Sequence, residues 1–68
     1  MSRLKLKRVL VTGAARGLGR AIAEHAADKG AELVITDIQE DLLHETREAI
    51  AERGVRCRAY ALDVTDHK

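Results

Sequence analysis

The sequence predicts an α/β fold, a βαβαβ unit with three parallel strands in the order 3-2-1 and two helices. Three observations carry the prediction. Short runs rich in Val, Leu and Ile recur near the start, the middle and the end of the chain, and non-alternating runs of this kind belong to strands of parallel sheets. Between them lie two stretches with apolar residues at helical spacing, as in a helix with one buried face. Each stretch closes on a glycine, Gly30 or Gly54, the residue that most readily takes the left-handed conformation ending a helix.

The elements follow in order. Residues 3–8 alternate basic residues with Leu4 and Leu6 and read as an edge segment or a frayed lead-in. Val9-Leu10-Val11 is the first strand. The first helix is predicted over residues 18–29, with Leu18, Ala21, Ile22 and Ala26 as its inward face. Its small alanines would let it lie close to the sheet, and His25 falls at the edge of the stripe as a partly exposed residue. The second strand covers residues 32–37 and ends in an acid, Asp37. The second helix spans residues 40–53, with Leu42, Leu43, Thr46, Ala49 and Ile50 buried; Asp41, Glu45, Glu48, Glu52 and His44 face solvent. The third strand is read over residues 55–64, half exposed at first and buried later, with Cys57 pointing inward as a small apolar residue. Thr65 or Asp66 would cap a further helix.

Composition narrows the class. Twelve Lys and Arg against eleven Asp and Glu leave a net charge of +1, which argues against a nucleic-acid partner or a membrane surface. The basic start is followed by no apolar segment of the kind a secretory signal needs, and no run reaches the roughly 18–20 apolar residues of a membrane span. The single cysteine, Cys57, cannot pair within the chain. A cytoplasmic setting is expected. His25, His44, His67 and Cys57 have no metal-ligand spacing.

The chemistry lies in Thr12-Gly13-Ala14-Ala15-Arg16-Gly17-Leu18-Gly19, between the first strand and the first helix. A helix N-terminus carries unpaired N–H groups and a partial positive charge of roughly half a unit. Glycines let an anion reach that backbone with no Cβ in the way. A P-loop would end in Gly-Lys-Ser/Thr, whereas this turn runs Gly19-Arg20-Ala21. The spacing is also not the Gly-x-Gly-x-x-Gly of the most familiar dinucleotide fingerprint. Asp37 lies eighteen residues beyond Gly19, and a second acid, Asp63, stands at the end of the third strand.

With these pieces in order, the chain resembles the short-chain dehydrogenase/reductase family. Thr12-Gly13-x-x-x-Gly17-x-Gly19 matches its cofactor motif, Asp37 the acid ending its second strand, and Leu62-Asp63-Val64-Thr65 its Asp-Val element. The resemblance covers essentially the whole sequence and implies a Rossmann-type dinucleotide site. In it, Gly13 would permit the tight turn, and Gly17 and Gly19 would admit the pyrophosphate, with the Leu18 N–H among its donors. Asp37 would accept the adenosine ribose hydroxyls, with Ile38 beside it. Asp63 would accept the adenine amino group, and Val64 would pack near the ring. Arg16 holds the position where a basic residue accompanies NADP in this family, whereas Asp37 accompanies NAD. A charged acceptor on the ribose diol is worth about 1.5–3 kcal/mol, and the same carboxylate would repel a 2′-phosphate by about 1–4 kcal/mol. Arg16 on an exposed turn would return only about 0–1 kcal/mol. NAD is therefore expected over NADP.

The family's proton relay resembles a Ser, a Tyr and a Lys, the last two as Tyr-x-x-x-Lys. Here the only tyrosine, Tyr60, is followed four residues on by Val64, and Ser2 is the only serine. No catalytic residue is therefore expected within the chain. Residues 1–68 read as the N-terminal half of an NAD(P)-binding domain, truncated from an oxidoreductase that moves hydride between an alcohol or carbonyl substrate and nicotinamide. By resemblance the full enzyme would form a homo-oligomer. Two alternatives remain: a stand-alone, non-catalytic dinucleotide-binding module, and a fragment without function. A three-stranded sheet with both helices on one face leaves its other face bare, so the isolated chain is expected to self-associate or be partly disordered.

Overall fold

The structure is a computed structural model describing residues 7–62. The chain runs β1 (Arg8–Thr12), α1 (Gly17–Asp28), β2 (Glu32–Asp37), α2 (Glu40–Ala51) and β3 (Cys57–Ala61). The strands form one parallel sheet with β2 in the middle, which is the expected order 3-2-1 read from the other edge. Arg8 pairs with Glu32 and Thr12 with Thr36. Leu33 pairs with Cys57 and Asp37 with Ala61. This register brings the C-terminal ends of all three strands to one edge of the sheet, where open α/β sheets bind ligands.

Alternation along the strands sorts two faces. Val11, Leu33 and Ile35 are buried beneath the helices, with Val9, Cys57 and Ala59 packed against the same cluster. From α2 the cluster takes Leu43 and Ile50, both essentially inaccessible, and burying a side chain of this size contributes about 1.5–3 kcal/mol. The α2 face therefore follows the sequence reading, with Leu42 and Ala49 half-buried at its margin.

The α1 face follows it only at Ala26. Ala23, Ala26 and Ala27 are buried, while Leu18, Ala21 and Ile22, expected inside, are exposed. The helix turns its small side chains to the sheet because it comes in close. Its larger apolar residues form a second stripe that nothing among the described residues covers. The helix ends in a Schellman arrangement: the Ala31 N–H donates to the Ala26 carbonyl (3.2 Å) and the Gly30 N–H to the Ala27 carbonyl (2.9 Å), with Gly30 at φ +92°. The helices are joined through Arg53. Its Nε donates to Asp28 Oδ1 (2.7 Å) and its Nη1 to the Ala49 carbonyl (2.7 Å), while Nη2 lies 3.6 Å from Glu24 Oε1.

The other sheet face carries Leu10, Tyr60 and the following Leu62, all exposed. Residues Ala61 and Leu62 were expected to lie in a buried part of the third strand and are exposed: Leu62 follows Tyr60 onto the uncovered face, and Ala61 is the last residue of the strand. His25 and His44 are exposed; His44 Nε2 lies 3.7 Å from Glu40 Oε2 on the same helix. Residues 1–6 and the candidates Asp63, Val64, Thr65 and Asp66 lie outside the described residues. Among the described residues no helix is long and apolar enough to cross a membrane.

Candidate cofactor site

The site is built on the turn from β1 into α1. Gly13 and Gly17 both have positive φ, +67° and +62°, where a Cβ would meet the backbone's own atoms. The space into which a Cβ would point is open at both positions. Gly19 is constrained differently. A Cβ there would overlap the Gly13 carbonyl oxygen and lie 2.8 Å from the Gly13 carbonyl carbon. The first turn of α1 thus rests directly on the backbone of the loop, and Gly19 permits that contact.

Arg16 occupies the N-cap of α1 in an extended conformation and supplies no side-chain cap. Among the described residues, the N–H groups of Arg16, Gly17, Leu18 and Gly19 donate to no protein acceptor. Four unpaired donors at a helix N-terminus, with nothing but hydrogen at Gly17, form the donor set that a pyrophosphate takes. The chain's own residues therefore fit the phosphates of a dinucleotide.

Asp37, at the end of β2, reaches the same turn. Its Oδ2 accepts the Ala15 N–H (3.0 Å) and its Oδ1 the Gln39 N–H (3.0 Å). The Gln39, Ala15 and Ile38 N–H groups, in falling order of effect for the first two, hold the carboxyl below its usual pKa of 3.8; partial burial pushes the other way, and the nearby Arg16 charge assists the lowering. The group is ionised at neutral pH, and each oxygen has acceptor capacity left for a hydroxyl. Ile38 beside it is exposed.

The structure brings Gly13, Arg16, Gly17, Leu18, Gly19, Asp37 and Ile38 to one end of the sheet; Asp63 and Val64 lie outside the described residues. Sequence reasoning passed over the two residues between Gly13 and Arg16. Ala14 and Ala15 are completely buried, and each is tied down: the Ala14 N–H donates to the Thr36 carbonyl (3.0 Å), and the Ala15 carbonyl accepts from Thr46 Oγ1 (3.2 Å). The signal available was the pair of smallest chiral residues at positions the motif leaves open. A cavity of about 280 Å³ lined by Arg8, Glu32, Val34, Arg56, Arg58 and Tyr60 lies on the bare sheet face, away from this turn, and is not part of the site.

Comparison with known proteins agrees with this fold. The family model for short chain dehydrogenase matches residues 7–68. The chain belongs to the short chain dehydrogenase family. It is 45% identical over 62 residues to a diacetyl reductase forming (S)-acetoin from Staphylococcus epidermidis, covering 91% of this chain and 24% of that protein. Among solved structures, NAD+-bound xylitol dehydrogenase superposes with a TM-score of 0.92 at 32% identity, over 96% of this chain and 25% of that one. A metagenomic short-chain oxidoreductase in complex with NADP gives 0.88 at 32% identity, over 96% and 29%. The chain thus spans about a quarter of the length of the relatives it matches.

Proposed function

We propose that this chain is the cofactor-binding segment of an NAD-dependent short-chain oxidoreductase, the N-terminal part of its dinucleotide-binding domain. One observation carries the reading: an ionised carboxylate, Asp37, stands beside a helix N-terminus whose first four N–H groups are free of protein acceptors among the described residues. The donors of Arg16, Gly17, Leu18 and Gly19 take the pyrophosphate, over a turn that Gly13 makes possible. Asp37 takes the adenosine ribose diol, with Ile38 alongside. Asp63 and Val64 take the adenine, by family resemblance. NAD supplies hydride acceptance and donation when bound; the segment orients it and excludes competitors.

Asp37 also sets the preference for NAD over NADP, because a 2′-phosphate would meet its charge and Ile38 offers no compensating one. Arg16 is the one cation at the turn, and its exposed position limits what it returns to NADP. The substrate of the whole enzyme is an alcohol or carbonyl compound, in line with the diacetyl reductase and xylitol dehydrogenase among its relatives. The proton-transfer groups and the substrate pocket belong to the rest of that enzyme. A cytoplasmic, homo-oligomeric protein completes the reading.

The test is a calorimetric titration of the chain and an Asp37→Ala variant with NAD and NADP. Loss of a charge-assisted acceptor should weaken NAD binding by about ten- to hundredfold. Asp37 also holds the turn, so the decisive quantity is the ratio of the two affinities, in which turn disorder cancels. The ratio should move toward NADP. An unchanged ratio would remove Asp37 from the ribose.

A further inference from the structure

The α2 helix contains one polar side chain with no exposure at all, Thr46. A mid-helix threonine usually satisfies its hydroxyl on the carbonyl four residues back, and Leu42 stands there at 3.3 Å. Thr46 has a second acceptor, the Ala15 carbonyl of the glycine turn, at 3.2 Å and fully buried. The hydroxyl has one proton to share between them. A valine of the same shape would fill the space without placing a polar atom among Leu43, Ile50 and the sheet.

The Ala15 carbonyl is not an arbitrary acceptor. It belongs to the peptide that joins Ala15 to Arg16. That unit is planar and trans, so its N–H points opposite to its C=O. Holding the carbonyl toward α2 turns the Arg16 N–H away from α2, to the side of the free donors at the start of α1. The same residue is gripped at its other end, where the Ala15 N–H donates to Asp37.

We infer that Thr46 is a positioning residue for the cofactor turn: its hydroxyl fixes the Ala15–Arg16 peptide and thereby the direction in which the Arg16 N–H is offered to a phosphate. This inference rests on the proposed binding of a dinucleotide at the turn. Thr46 itself touches no cofactor. Its effect is to pre-order a donor that would otherwise have to be ordered on binding.

The experiment compares the unaltered chain with Thr46→Val, which keeps shape and loses the hydroxyl, and Thr46→Ser, which keeps the hydroxyl and loses a methyl group. Two readouts are taken: amide hydrogen exchange at Ala15 relative to the sheet amides of Leu33 and Ile35 in the free protein, and the NAD dissociation constant. Thr46→Val should speed exchange at Ala15 by about two- to tenfold relative to the sheet and weaken NAD by a similar factor, while Thr46→Ser behaves as the unaltered chain in both. A residue that merely fills space gives the reverse order, with Thr46→Val silent and Thr46→Ser affected, and that result overturns the inference. Faster exchange with unchanged NAD affinity overturns it as well. If the unaltered chain takes up no NAD, binding by this segment on its own fails as a reading, and the exchange data still decide whether the hydroxyl orders the turn.

Discussion

Replacing Gly19 with alanine sets two physical effects directly against each other. Gly19 lies within α1, and helix propensity favours alanine over glycine by about 0.8–1 kcal/mol. The added Cβ would, however, overlap the Gly13 carbonyl oxygen, with the Gly13 carbonyl carbon at 2.8 Å and Ala14 Cα at 3.3 Å. All three neighbours are backbone atoms, so no side chain can rotate away. Ala14 is wholly buried and its N–H is held by the Thr36 carbonyl, so the turn can withdraw only by stretching that bond. Overpacking of this kind costs about 1–3 kcal/mol, and a strained or lost hydrogen bond adds about 0.5–1.5 kcal/mol. The clash outweighs the propensity gain, and a net loss of about 2 kcal/mol is expected from these terms. Urea unfolding followed by circular dichroism measures it. Ala21→Gly, at an exposed position of the same helix, is the control and should lose about 1 kcal/mol through propensity alone. A Gly19→Ala chain as stable as the unaltered one would refute the close approach of α1 to the turn.

Other outcomes follow from the same geometry. The Asp37 carboxyl titrates lower in the fold than its usual 3.8, so its stabilisation is fully present above that value and is lost as pH falls through the folded-state pKa. Urea midpoints taken from about pH 6 down to about pH 2 should therefore fall less steeply for Asp37→Asn than for the unaltered chain. Arg53→Lys keeps the charge but loses the fork that reaches Asp28, Glu24 and the Ala49 carbonyl. It should cost about 0.5–1 kcal/mol at low salt, with the difference shrinking as salt is added. Leu10, exposed on the bare sheet face, should drive association of the isolated chain, so sedimentation of Leu10→Lys should depend less on protein concentration.

Much of this fold is legible in the sequence because its signals are redundant. The β2 strand is marked both by an unbroken apolar run and by the acid that ends it, and its limits, Glu32–Asp37, are read directly. The α2 stripe is equally plain, since its inward residues are also its large ones. The α1 face fails for the opposite reason. Periodicity weights bulk, and here the bulk of Leu18 and Ile22 faces away while alanines meet the sheet. Only the close contact at Gly19, which no spacing rule contains, makes the small face the inner one. The third strand is shorter than its apolar pattern suggests, since residues 55 and 56 precede the ladder, and Ala61 and Leu62 at its end are exposed. In the site, glycines and acids announce themselves, whereas Ala14 and Ala15 are held through backbone bonds and the Thr46 hydroxyl finds its acceptor thirty-one residues away, only in the folded chain.

The double attachment of the Asp37 carboxylate has a consequence for protein engineering. Redesign toward NADP points first to Asp37, whose charge opposes a 2′-phosphate. In this chain the same carboxylate anchors Ala15 and Gln39, so removing it changes loop order together with ligand choice. A library built around position 37 would therefore mix two phenotypes, altered preference and weakened affinity for either dinucleotide. Diversity placed at exposed Ile38 and Arg16 leaves the anchor intact and separates them.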